Sequence, residues 1–69
     1  MMTNTAYQIW EAFKAELIVE PTEDMKQALA SSIRVISSII YRDGVLANEP
    51  WLTHTAQELN EIAGDVEAL

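Results

Sequence analysis

The stretch Thr22 to Asp43, TEDMKQALASSIRVISSIIYRD, contains neither Gly nor Pro and holds one helical period from end to end. On a wheel turning about 100° per residue, Met25, Ala28, Leu29, Ser32, Ile33, Val35, Ile36, Ile39 and Ile40 fall within roughly half the circumference. Lys26, Gln27, Ser31, Arg34, Ser37, Ser38 and Arg42 take the other half. A helix resting on a single neighbour needs an apolar stripe little wider than about 100°. Half a circumference touches two. This helix is therefore expected to be the central one, or to face one neighbour in its own chain and one in a second copy.

Its ends carry matching signals. Thr22 is the expected N-cap, with Glu23 and Asp24 placing negative charge at the positive end of the helix dipole. Asp43-Gly44 is the expected stop, with Gly44 at the left-handed C′ position and Val45 folding back on Ile40.

The flanking segments read as helices too. Thr5 and Gln8 fit a capping box, and Ala6, Ile9, Trp10, Phe13 and Leu17 follow at spacings of three and four. Pro21 drives the residue before it out of the α region, so this helix must end ahead of it. Beyond residue 44, Pro50 suits a first helical turn, while Thr55 with Glu58 makes a competing capping box. Trp51, Leu52, Thr55, Leu59, Ile62, Val66 and Leu69 form the stripe of this third helix. Gly64 interrupts it, and a close helix crossing there would account for a residue that destabilises a helix interior by about 1 kcal/mol.

The expected fold is all-α: one domain over residues 1–69, a three-helix bundle with helices near 5–20, 22–43 and 50–68. The expected core is Ile9, Trp10, Phe13, Leu17, Met25, Leu29, Ile33, Ile36, Ile40, Leu59, Ile62 and Val66. A chain of 69 residues without Cys has neither disulfide nor thiolate metal site to staple it. Regular helix packing or oligomerisation must supply the stability. A homodimer is expected, with Ala28, Val35 and Ile39 partly in its interface.

Charge narrows the partners. The net charge is -7, and residues 1–42 hold all four bases against five acids. Residues 43–69 hold six acids and no Lys or Arg. A phosphate backbone and an anionic membrane surface are both repelled by that half. No apolar run approaches the roughly 20 residues that span a bilayer, and the first residues, lacking Lys and Arg, do not read as a signal peptide. The expected location is the cytoplasm.

Chemistry-bearing clusters are few. His54, Glu58, Glu61 and Asp65 share one edge of the third helix, with ligand types and spacing that suit a metal ion. No other segment offers a second set of ligands, so a solvated acidic face is the better reading, and neither metal nor cofactor is expected. With one His, no Cys and only Gly44 and Gly64 as glycines, thiol triads and glycine-rich phosphate loops are excluded. The expectation is a non-enzymatic, acidic regulator or adaptor that binds a protein with a basic surface. Its contact residues would be Trp51, Glu58, Glu61 and Asp65. The alternative is a homo-oligomeric structural module with no other partner.

Overall fold

The computed structural model describes residues 2–69, apart from the side chains of residues 2–4. It is an all-α bundle of three helices: α1 (Met2–Ala15), α2 (Glu23–Ala47) and α3 (Pro50–Glu67). No strand occurs among the described residues. α2 and α3 form an antiparallel hairpin. Gly44 meets Leu52 and Thr53 near the turn, Ser37 meets Ala56 midway, and Arg34 meets Glu67 at the far end. α1 is shorter and packs chiefly on α3, so α3, rather than α2, carries the main packing with both other helices.

α1 departs from expectation at both ends. Thr5 and Gln8 lie inside the helix rather than capping it, and the helix stops at Ala15 instead of residue 20. Its last turn tightens: the amides of Glu16 and Leu17 donate to the carbonyls of Phe13 and Lys14, three residues back. Such 3₁₀ closure is a common way to end an α-helix. Two β-branched residues, Ile18 and Val19, and then Pro21 follow in the exposed connection, and none favours resuming the helix.

α2 starts where its cap places it. The Thr22 side-chain oxygen accepts a hydrogen bond from the Met25 amide at 3.2 Å. The helix then runs through Gly44 to Ala47, four residues past the expected stop. The left-handed residue is Asn48, at φ 55°. The Glu49 amide donates to the Gly44 carbonyl at 2.8 Å, and the Asn48 amide to the Val45 carbonyl at 3.2 Å. That pair of bonds is a Schellman closure, moved four residues downstream. Gly44 has a different task. A Cβ there would sit 2.8 Å from the Leu52 Cβ and 3.1 Å from the Thr53 backbone nitrogen. Its bare Cα lets α3 approach. Gly64, where a crossing was expected, has open space around it.

α3 begins at Pro50, not at Thr55. The Thr55 hydroxyl donates to the Trp51 carbonyl at 2.9 Å, four residues back within the helix.

Small side chains dominate the centre. Ala6, Ala30, Ala56, Ala63, Val66 and Ile33 are buried, and Val66 is the largest side chain that is fully enclosed. Ile9, Leu29, Leu59 and Ile62 pack partly buried around them. Trp10 and Phe13 stack with ring centroids 5.7 Å apart and are half-buried. Leu17, Met25 and Ile40 are also half-buried, but Ile36 is exposed and not core. Conversely, Lys26 and Ser37, expected on the polar half of α2, are buried. The Ser37 hydroxyl reaches across to the Ala56 carbonyl at 2.5 Å, which satisfies it inside the core.

These differences have one cause. The buried line on α2 is Lys26, Ala30, Ile33, Ser37, Ile40 and Gly44, at alternating spacings of four and three. That line is rotated by roughly 100° from the middle of the apolar arc. α3 answers with Leu52, Ala56, Leu59, Ala63 and Val66 at the same alternation. Seams of this period are those of two helices winding around each other, and their small residues let the backbones come close. α2 thus buries one edge of its arc on α3 and leaves the other edge bare.

Candidate functional site

The bare edge of α2 is the main candidate surface. Val35 is 59% exposed, Ile36 50%, Ile39 44% and Leu46 79%; Ala28 and Ser32 are exposed beside them. At the turn of the hairpin Trp51 is 63% exposed. Its indole N–H donates to the Glu49 carboxylate at 2.9 Å, which fixes the ring at the surface. Glu49 precedes Pro50 at the start of α3, yet its side chain makes no cap there and serves the indole instead. Large apolar groups therefore lie outside while alanines fill the core. In a monomer the reverse arrangement would bury more apolar area.

The acidic edge of α3 is less uniform than its sequence spacing. The Glu58 carboxylate lies 2.9 Å from the His54 Nε2, and both are well exposed. Glu61 is exposed. Asp65 is half-buried, and its enclosed Oδ2 has no hydrogen-bond partner among the described residues. Glu67 turns away to Arg34, forming an ion pair that ties the C-terminal end of α3 to α2. The hydrogen bond from the guanidinium holds the Glu67 carboxyl below its ordinary value and raises Arg34 above its own, with burial opposing each shift. Among the described residues no three His, Cys, Asp or Glu side chains converge as metal ligands do.

An open groove of about 320 Å³ lies beside the hairpin turn, lined by Tyr41, Gly44, Val45, Asn48, Glu49, Pro50 and Thr53. The Thr53 hydroxyl is already committed to the Pro50 carbonyl at 2.8 Å. The Glu49 carboxylate is likewise committed, to the Trp51 indole rather than to a hydroxyl that a base would activate. No described helix is long and apolar enough to cross a membrane.

Of the residues singled out from the sequence, Ala28, Val35, Ile39, Trp51, Glu58 and Glu61 lie exposed and Asp65 is half-buried. Ile36 was missed because it counted as core, and Leu46 because it lay beyond the expected helix end. An unbroken helical period through Val45, Leu46 and Ala47 was the signal that could have found it.

No family model, curated protein or solved structure matches this chain.

Proposed function

We propose that this chain is a non-catalytic protein-interaction module, a small acidic regulator or adaptor that works as a homodimer. The observation that carries this reading is the bare edge of α2, where Val35, Ile36, Ile39 and Leu46 stand exposed while four of the six buried apolar residues are alanines. Exposed apolar side chains in a contiguous row mark binding surfaces. The outer edge of α3, with Trp51, Glu58, Glu61 and Asp65, is the surface for a second protein whose face is basic. Trp is a favoured anchor in such contacts, and complementary charge speeds encounter and selects the partner. The base-free run of residues 43–69 supports this assignment and disfavours nucleic acid.

The test of the α3 surface compares the wild-type chain with Glu58→Gln/Glu61→Gln/Asp65→Asn and with Trp51→Ala. Each is used as bait in extracts of its native host. Partner recovery should fall with added salt for the wild type and be lost in both variants. Identical recovery by all three would remove the α3 edge and Trp51 as the site. The reading of a self-associating module with no other partner would then stand, favoured by the same α2 edge.

A further inference from the structure

Resting on the homodimer reading, we infer that a second copy of this chain packs antiparallel along α2, on a seam that repeats the one α3 already fills. The inner seam runs Lys26, Ala30, Ile33, Ser37, Ile40 and Gly44. The outer one runs Ala28, Ser32, Val35, Ile39, Arg42 and Leu46, with the same alternation of four and three. Both combine small residues with β-branched ones: Ala30, Ser37 and Gly44 with Ile33 and Ile40 inside, Ala28 and Ser32 with Val35 and Ile39 outside. Each also carries a serine whose hydroxyl is already satisfied. Ser37 bonds to Ala56, and Ser32 donates to the Ala28 carbonyl of its own helix at 3.0 Å. Ser32 can therefore be covered without stranding a polar group.

The size of the molecule points the same way. A folded monomer of 7.7 kDa exposes about 4,300 Å² on the general surface-to-mass scaling. This chain exposes 4801 Å². Its radius of gyration is 13.2 Å, against about 11 Å for a compact domain of this length. The excess of roughly 500 Å² is close to the roughly 600 Å² per partner at the lower end of stable interfaces.

Charge sets the direction. Arg42 occupies a seam position, exposed and only loosely held by Asp43, with 3.7 Å from its Nε to the carboxylate. In a parallel pair it would meet its own copy, guanidinium to guanidinium. In an antiparallel pair, with Ala28 facing Ile39 of the other copy and Ser32 facing Val35, Arg42 arrives beside Met25 and the exposed Asp24. The same register brings Leu46 over the partner's apolar connection, where Ile18, Val19 and Pro21 stand exposed. A heptad seam allows this register in an antiparallel pair because its two kinds of position face each other.

The chain has no Cys, so engineered thiols report without background. Ala28→Cys and Ile39→Cys proteins are prepared separately, then mixed and oxidised. In the antiparallel pair Cys pairs form only in the mixture, because each position lies about 16 Å along the axis from its own copy and a disulfide needs Cα atoms within about 7 Å. The expected result is a covalent dimer in the mixture, at least tenfold more abundant than in either protein alone. Self-linking of each single variant would overturn the antiparallel assignment in favour of a parallel one. A sedimenting dimer that links in neither condition would overturn the seam and leave the homodimer reading intact. A wild-type monomer at micromolar concentration would overturn both.

Discussion

The close helix approach that sequence signals suggest at Gly64 occurs at Gly44 instead, and a matched pair of substitutions tests this. Both lie inside helices with ordinary negative φ. Replacing either with Ala therefore gains the intrinsic helix preference, about 0.8–1.0 kcal/mol. At Gly64 the new methyl meets nothing within 4 Å. Gly64→Ala should raise stability by that amount, and for a chain of this size each kcal/mol moves Tm by about 4–8 °C. At Gly44 the methyl would lie 2.8 Å from the Leu52 Cβ and 3.0 Å from the Thr53 Cγ2, with the Thr53 backbone nitrogen at 3.1 Å. The first and last of these atoms cannot swing away, so the start of α3 must shift. Overpacking of this kind costs about 1–3 kcal/mol. Set against the propensity gain, Gly44→Ala should lose up to about 2 kcal/mol, placing the variants roughly 1–3 kcal/mol apart. Urea unfolding followed by far-UV circular dichroism measures both, at one protein concentration because self-association adds to apparent stability. Equal stabilisation by the two substitutions would mean that α2 and α3 do not approach at Gly44.

Other substitutions probe single contacts. Ser37→Ala removes the buried hydrogen bond to Ala56 and should destabilise by about 1 kcal/mol, whereas Ser32→Ala, whose hydroxyl bonds only within its own helix, should change urea stability little. Asn48→Ala should lose about 1 kcal/mol, because a residue at φ 55° with an ordinary side chain is disfavoured there; Asn48→Gly should lose none. Glu67 bonded to Arg34 titrates below the ordinary glutamate value of about 4.3. Its stabilising contribution is complete above that value and is lost as pH falls through the lower, folded one. Glu67→Gln should flatten the acid limb of the stability profile, and an unchanged limb would show that the pair contributes nothing in solution.

The sequence revealed elements more readily than orientations. Thr22 fixed one helix start and Pro50 another, because a capping hydroxyl and a ring-locked φ each act within a single turn. The end of α2 was harder, since Gly44 and Asn48 both suit a left-handed C′ residue. The decision fell to packing between α2 and Leu52–Thr53, a contact between distant positions. The rotation of α2 was hidden for a related reason. Its inner and outer seams merge on the wheel into one broad arc, and the middle of that arc faces neither neighbour. Lys26 and Ser37 lie inside the true contact line and look polar, while Ile36 lies outside it and looks like core. On the candidate surface, the spacing of Glu58, Glu61 and Asp65 suggested one acidic face, but His54 pairs with the first and one carboxylate oxygen of the last is enclosed.

The central claim is that α2 is covered on one side by α3 and on the other by a second copy. Sedimentation equilibrium of the wild type and of Ile39→Glu, across low to high micromolar concentration, tests it most directly. The wild type should weigh twice 7.7 kDa. Ile39→Glu should remain helical and dissociate, with Kd raised at least about 100-fold, since burying an unpaired carboxylate costs several kcal/mol. A wild-type mass of 7.7 kDa throughout that range, or an Ile39→Glu dimer as tight as the wild type, would contradict it.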